Sequence, residues 1–237
     1  MSADLLERAK TLGWYHTLEL PGLTTEGLFD MRPYVPAYGL PASLAGMRVL
    51  EVGTWDGFWA FEMERRGAAE VVALDLDDER DLDWPPRRRD FNPDVLRGDG
   101  FRTASALLGS KVERRVLSVY DATPKVLGEF DLVLCGSVLI HLRDQLLALE
   151  RICSLVKPGG TFVSAEEYDR MADLIPVPMA RFRGNRPNSV VFWIPSRRAW
   201  SQMLWYAGFD TVVEHGRFTM VGTQGWKIRH VIHHATR

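Results

Sequence analysis

Met47-Arg-Val-Leu-Glu-Val-Gly-Thr-Trp-Asp-Gly-Phe-Trp-Ala-Phe61, followed after a polar helical span by Glu70-Val-Val-Ala-Leu-Asp75, decides the fold. Val49, Leu50 and Val52 form a short apolar run that stops at Gly53, as a parallel strand buried on both faces does where it enters a turn. Gly53 and Gly57 carry no Cβ, which leaves room for a ligand to approach the backbone. From Asp56 the period becomes helical, with Trp59, Met63 and Arg66 spaced along an amphipathic helix. A second apolar run, 71–74, ends in Asp75, 24 residues after Glu51. An acid at the tip of the second strand, about 20 residues past a glycine turn, is placed to hold a pair of ribose hydroxyls. The unit reads strand, loop, helix, strand, acid, and it suits a nucleoside.

The glycine spacing narrows the choice of nucleoside. A dinucleotide site has G-x-G-x-x-G, whose close glycines seat a pyrophosphate on a helix N-terminus. Here Glu51 precedes the turn, Asp56 lies within it and Trp55 stands at its centre. Carboxylates there repel a pyrophosphate but suit a cationic sulfonium that carries an ammonium group. Residues 51–57 resemble the first motif of class I S-adenosylmethionine-dependent methyltransferases, E/D-x-G-x-G-x-G, with Trp55 in place of the middle glycine. The resemblance implies an α/β, Rossmann-like fold with a seven-stranded, mostly parallel sheet, and S-adenosylmethionine as cofactor. Glu51, Gly53, Trp55, Asp56, Gly57 and Asp75 are the first candidates to hold it.

At 237 residues the chain can bury most of its apolar surface in one domain with additions at its edges. Hydrophobic content of 46% and charged content of 25% are those of an ordinary globular protein. A net charge of −2 excludes a globally basic binder of nucleic acid or membrane. No apolar run approaches the ~20 residues that span a bilayer, and the start lacks the pattern of a signal peptide. Cys135 and Cys153 read as buried reduced thiols, and the expectation is a cytoplasmic protein.

Residues 1–46 form an expected N-terminal cap ahead of a methyltransferase domain at 47–237. A helix over 2–12 stops at Gly13, and an aromatic, turn-rich segment follows. That segment cannot join a parallel sheet, so it is expected across the mouth of the site, with Tyr15, His16 and Arg32 near substrate. Residues 41–46 read as a short linking helix or turn. After Asp75, Leu76 is placed to pack on an adenine face and Trp84 to cover it, while Arg87-Arg88-Arg89 reads as a solvated face.

A helix over 98–108 precedes a third strand at 112–119 that closes on Tyr120-Asp121. A carboxylate just past the third strand is placed to accept a hydrogen bond from the adenine amine, the role this position has in the family pattern; Asp121 is the candidate. Phe130-Asp-Leu-Val-Leu-Cys-Gly136 is the fourth strand, Asp144 starts a helix, Lys157-Pro-Gly-Gly160 breaks the chain, and 161–165 is the fifth strand. This succession looks like the later motifs of the same class. Residues 166–195 form a substrate-side insertion rich in aromatics and arginine, with Arg181, Arg183 and Trp193 as substrate-binding candidates. Arg186 belongs to the same run. A helix over 196–207 and an antiparallel pair at 209–215 and 226–233 complete the sheet. His230, His233 and His234 lack the companions of a metal centre, and none is expected.

Tyr15-His-Thr17, Val138-Leu-Ile-His141 with Arg143, and Phe192-Trp-Ile-Pro-Ser-Arg197 with Trp200 and Ala207-Gly-Phe209 are similar to the tRNA wobble-uridine (5-hydroxyuridine) methyl- and carboxymethyltransferase branch. That likeness adds Ser137 to the cofactor candidates. The branch has a tyrosine where Ile140 stands, so the departure favours plain methyl transfer over carboxymethyl transfer. The net charge favours a small-molecule oxygen or nitrogen acceptor over tRNA. A non-catalytic nucleoside-binding subunit and an oxidoreductase are the further alternatives.

Methyl transfer from a sulfonium is an in-line displacement that demands a near-attack geometry and exclusion of water. An oxygen or nitrogen acceptor also sheds a proton, which is general-base work. His141, just past the fourth strand at the carboxyl ends where ligands collect, is the first base candidate. Glu166 and Glu167, after the fifth strand, are the next.

Overall fold

The computed structural model describes residues 3–83, 97–185 and 189–237. Seven strands form the central sheet: β1 (Arg48–Val52), β2 (Glu70–Asp75), β3 (Glu113–Val116), β4 (Phe130–Gly136), β5 (Val156–Glu167), β6 (Thr211–Val221) and β7 (Lys227–Thr236). Their order is β6-β7-β5-β4-β1-β2-β3, with β1 to β5 parallel and β6 and β7 antiparallel to their neighbours. The order reverses between β1 and β4, and ligands of doubly wound sheets collect at the carboxyl ends of such a switch point.

Successive residues of a strand point to opposite faces, and here both faces are covered. Val49, Val71, Ala73, Leu134 and Val163 pack with α1 (Ala3–Thr11), α2 (Phe58–Arg65), α3 (Gly98–Leu108) and the aromatic N-terminal segment. Leu50, Val52, Leu74, Val133 and Phe162 pack with α4 (Gln145–Leu155) and α5 (Arg197–Tyr206) on the other face. Trp14, Leu18, Phe29 and Tyr38 belong to the first of these cores, so the N-terminal segment shares its packing with the sheet.

Several elements differ from expectation for local reasons. The third strand is shorter than 112–119, because the Ser118 hydroxyl accepts the Tyr120 N–H and turns the chain into a 3₁₀ turn at Val119–Asp121. What remains, Glu-Arg-Arg-Val, is a charged edge strand, a protection against edge-to-edge pairing. Of the helix or turn expected at 41–46, the turn is what forms, with the Met47 N–H donating to the Leu44 carbonyl at 2.9 Å. The 3₁₀ helix lies earlier, at Arg32–Tyr38, where Pro33 presets its first turn and Gly39 ends it at a φ of +62°. The Lys157-Pro-Gly-Gly160 break is a bulge within β5: the pairing with β4 jumps from Phe130–Val156 to Leu132–Thr161. Within the insertion, Ala180–Phe182 pairs antiparallel with Trp193–Pro195. Trp84, Arg87–Arg89 and Arg186 lie outside the described residues. Among the described residues, no helix is long and apolar enough to cross a membrane.

Candidate active site

The bend after β1 is built around absent side chains. Gly53 has a φ of +79°, and a Cβ there would fall 2.2 Å from Val138 Cγ2. Its N–H and that of Thr54 donate to the Leu74 carbonyl at 2.8 and 3.2 Å, which ties the bend to the tip of β2. Glu51 is buried beneath it, accepting the Thr54 hydroxyl at 2.5 Å and the Ala60 N–H at 2.8 Å. Burial pushes its carboxyl up to about 7. Glu51 therefore organises the turn from inside through Oε2.

Trp55, in the place of the motif's middle glycine, adopts a φ of +49°, a conformation costing about 1–3 kcal/mol for a residue with a Cβ. Three contacts hold it there. Its N–H donates to Asp75 Oδ2 at 2.6 Å, its ring stacks on Tyr15 with centroids 4.4 Å apart, and the Arg97 guanidinium lies 3.6 Å from its centroid. Asp75 also accepts the Leu76 N–H at 2.7 Å and faces Arg97 at 3.8 Å. A carboxylate has about four lone-pair sites, so Asp75 retains capacity for hydroxyl donors. Leu76 is half-buried beside it, and Asp121 is exposed on the turn after β3.

Asp56 clamps the N-terminal segment onto this turn. Its Oδ2 accepts the N–H groups of Tyr15 and His16 at 2.9 and 2.8 Å, and its Oδ1 accepts the His16 Nδ1–H. With both oxygens occupied by the cap, Asp56 has a different task from the cofactor contact expected of it. His16 Nε2 has no protein partner among the described residues, and the side chain keeps 9% exposure. Tyr15 is pushed up to about 12, by burial first and by the Asp56 carboxylate second. Arg32 is exposed, its guanidinium shared between Asp30 and Glu19 at 2.7 and 2.6 Å, and it is not brought to this group.

The opposite wall is the end of β4. Ser137 has a φ of +57°; its N–H donates to the Ala165 carbonyl at 2.9 Å and its hydroxyl meets His230 Nε2 at 2.7 Å. Glu166 Oε1 accepts the N–H groups of Val138 and Leu139 at 3.1 and 3.2 Å, while Oε2 is buried without a partner. Burial pushes Glu166 up to about 8. His141 donates its Nδ1–H to the Val190 carbonyl at 2.5 Å, which pins the insertion to the loop after β4. Burial also raises Glu167, against the pull of Arg183 and Arg181.

Within the insertion, Arg181 pairs with Asp169. The Arg183 N–H donates to the Phe192 carbonyl at 2.7 Å, and Trp193 lies against Phe182 with centroids 4.7 Å apart. A cleft of about 510 Å³ opens here, lined by Glu167, Tyr168, Asp169, Arg181 and neighbouring cations. The three histidines of β7 have separate partners: His230 meets Ser137, His233 meets the Ser201 hydroxyl at 2.9 Å, and His234 meets the Tyr38 carbonyl at 2.8 Å. Among the described residues, no group of three or more His, Cys, Asp or Glu could hold a metal ion.

The sequence reading missed Arg97, Tyr38 and the Ser137–His230 pair. Tyr38 is buried against Trp59, and its hydroxyl lies 3.4 Å from where a Cβ on Gly136 would stand. No local pattern distinguishes these residues, since each partner lies far away in the chain. Asp56 beside the glycine turn was visible, but its pairing with His16, 40 residues earlier, was not. The site as a whole fits a nucleoside: Asp75, with acceptor capacity to spare, stands at the tip of β2 beside a bend that only glycine can make.

Residues 30–215 match the family described as "Methyltransferase domain". A curated relative, ubiquinone biosynthesis O-methyltransferase of Xanthomonas euvesicatoria pv. vesicatoria (strain 85-10), is 35% identical over 117 residues, 49% of this chain and 41% of the relative. The chain thus spans about two fifths of the length of such relatives, 41–42% in the Xanthomonas enzymes. The N-terminal domain of EvdMO1, solved with S-adenosylhomocysteine bound, superposes with a TM-score of 0.70 at 19% identity, covering 100% of this chain and 97% of that one. The 1,6-didemethyltoxoflavin-N1-methyltransferase of Burkholderia thailandensis superposes with a TM-score of 0.57 at 17% identity, covering 87% and 79%. Those two likenesses show the fold, a seven-stranded Rossmann-like sheet, and the family match extends from the cap through both walls of the site. The chain belongs to the methyltransferase-domain family.

Proposed function

We propose that the protein is an S-adenosylmethionine-dependent methyltransferase that methylates an oxygen or nitrogen of a small molecule. The observation that carries this is Asp75 at the tip of β2, bonded to the backbone of the Gly53 bend, in a chain of the methyltransferase family. Asp75 holds the ribose hydroxyls. Gly53 lets the bend close against Val138 and the tip of β2, Leu76 and Asp121 flank the adenine, and Ser137 lies on the methionine side. When bound, S-adenosylmethionine supplies a methyl group on a cationic sulfur, open to attack by a lone pair.

The acceptor's proton goes to His16. Asp56 fixes the Nδ1–H tautomer, so Nε2 is the nitrogen that accepts the proton. The His141 ring is engaged with the insertion, and Glu166 is spent on two backbone N–H groups, which suits both to positioning. Glu167, Arg183 and Trp193 face the acceptor from the insertion. The O- and N-methyltransferases among the relatives support both acceptor atoms. The wobble-uridine likeness is not carried further: a buried Ile140 stands at its tyrosine position, and a chain of net charge −2 is a poor match to a polyanion.

Calorimetry with S-adenosylhomocysteine and NAD in parallel tests this reading. S-adenosylhomocysteine should bind and NAD should not; binding of NAD alone would end it.

A further inference from the structure

The cleft beside β5 is lined by four cations, Arg170, Arg181, Lys227 and Arg229, and two carboxylates, Glu167 and Asp169. Arg181 is committed to Asp169. The side chains of Arg170, Lys227 and Arg229 have no ion-pair or hydrogen-bond partner among the described residues, and all three are exposed. Three unspent cations in one cleft of a chain whose net charge is −2 are a local concentration, and a concave site focuses their field.

The cleft also adjoins the end of β4. Glu167 lies opposite His230 in the β5–β7 pairing, on the same face of the sheet, and the His230 ring meets Ser137. A volume of about 510 Å³ is more than a lone anion fills, and Tyr168, Met171 and Leu174 add apolar surface for the body of a ligand. Guanidinium forks match the geometry of phosphate oxygens, and several cations together favour a dianion over a single carboxylate.

We propose that this cleft binds a phosphate or pyrophosphate group carried by the methyl acceptor, so that the substrates are phosphorylated small molecules. The proposal rests on the methyltransferase reading for the word acceptor, but not for the anion site itself. Arg170, Lys227 and Arg229 grip the phosphate oxygens, and the Arg181–Asp169 pair fixes the insertion around them.

The test is calorimetry on the full chain with pyrophosphate and, separately, with acetate, for wild type and for the Lys227→Ala/Arg229→Ala double variant. Pyrophosphate should bind wild type in the millimolar range or tighter, more tightly than acetate, and weaken with added salt. Removing two charge-assisted donors should cost about tenfold or more in affinity. Both substituted residues are exposed, and an unchanged thermal midpoint checks that the fold is intact. Absence of pyrophosphate binding to wild type, equal binding by the variant, or binding of acetate as tight as pyrophosphate would each overturn the proposal. S-adenosylhomocysteine titrated in the same series should bind both proteins alike. Its failure to bind would count against the methyltransferase reading and leave the anion result to stand by itself.

Discussion

Replacing Gly53 by alanine tests the geometry on which the cofactor site depends. The added Cβ meets two independent penalties. At a φ of +79° an L-residue is in left-handed backbone, which costs about 1–2 kcal/mol. The Cβ also falls 2.2 Å from Val138 Cγ2, and relieving such overpacking costs typically about 1–3 kcal/mol. The sum, about 2–5 kcal/mol, is a large share of the stability of an ordinary domain but leaves most such proteins folded. Urea unfolding followed by tryptophan fluorescence measures it. Val138→Ala in the same chain removes both methyl carbons near the new Cβ and leaves the backbone penalty in place. The double-variant cycle should therefore return a favourable coupling of about 1–3 kcal/mol. S-adenosylhomocysteine affinity should fall in the single variant and recover in part in the double, because the clash that displaces the bend is relieved while its left-handed backbone stays strained. A cost below ~0.5 kcal/mol, the range of an ordinary surface change, or a cycle without coupling would refute the packing of this bend.

Asp75→Ala should weaken S-adenosylhomocysteine binding by about 1–3 kcal/mol, since one charged acceptor is lost; unchanged affinity in calorimetry would remove Asp75 from the ribose role. His16→Asn should lower kcat by about 10²–10⁴-fold with cofactor affinity kept. Once the acceptor is known, the pH–rate profile should lose its acidic limb; retention of that limb would return the base role to His141 or Glu167. Glu166→Gln should flatten part of the pH dependence of stability. The folded carboxyl titrates at about 8 and the unfolded one near its ordinary value, so the folded state holds the extra proton and stability falls as pH rises between those limits. Denaturation midpoints of wild type and variant should diverge in the variant's favour from pH 5 to pH 8, and parallel curves would show that Glu166 is not buried as described.

What the sequence made legible is what local pattern encodes. The Gly53 bend, the acid at Asp75 and the helix start at Asp144 each depend on neighbours a few residues away. All were readable as a nucleoside-binding α/β unit with a mostly parallel sheet. The bridge between cap and cradle was not, because Tyr15, Trp55 and Arg97 meet only after three separate segments have folded. The sequence expectation put Arg32 near substrate because it follows the aromatic segment, but Asp30 and Glu19 lie closer and neutralise it on the surface. Asp56 was assigned by its place in the motif, whereas the unsatisfied N–H groups of an incoming strand claimed its oxygens first.

Trp55 and Asp56 together explain why this chain departs from the glycine-rich form of the family motif. A glycine at position 55 would adopt the same left-handed backbone without strain, yet it would offer no ring for Tyr15 and Arg97 to pack on. The strain of Trp55 is offset by Asp75, Arg97 and Tyr15, the last of these only when the cap is docked. Asp56, the next residue, is bonded to the cap at three points, one of them the imidazole whose other nitrogen is left open. The turn proposed to face the cofactor and the residue proposed to take the acceptor's proton are thus held together through a single buried carboxylate. Near-attack geometry requires donor and acceptor to be placed within a fraction of an ångström. A base on an independent flexible loop would have to be positioned anew in each encounter. Here the same bonds that shape the turn place the base, so loosening Asp56 should disturb cofactor binding and proton transfer together, where His16→Asn disturbs only the second.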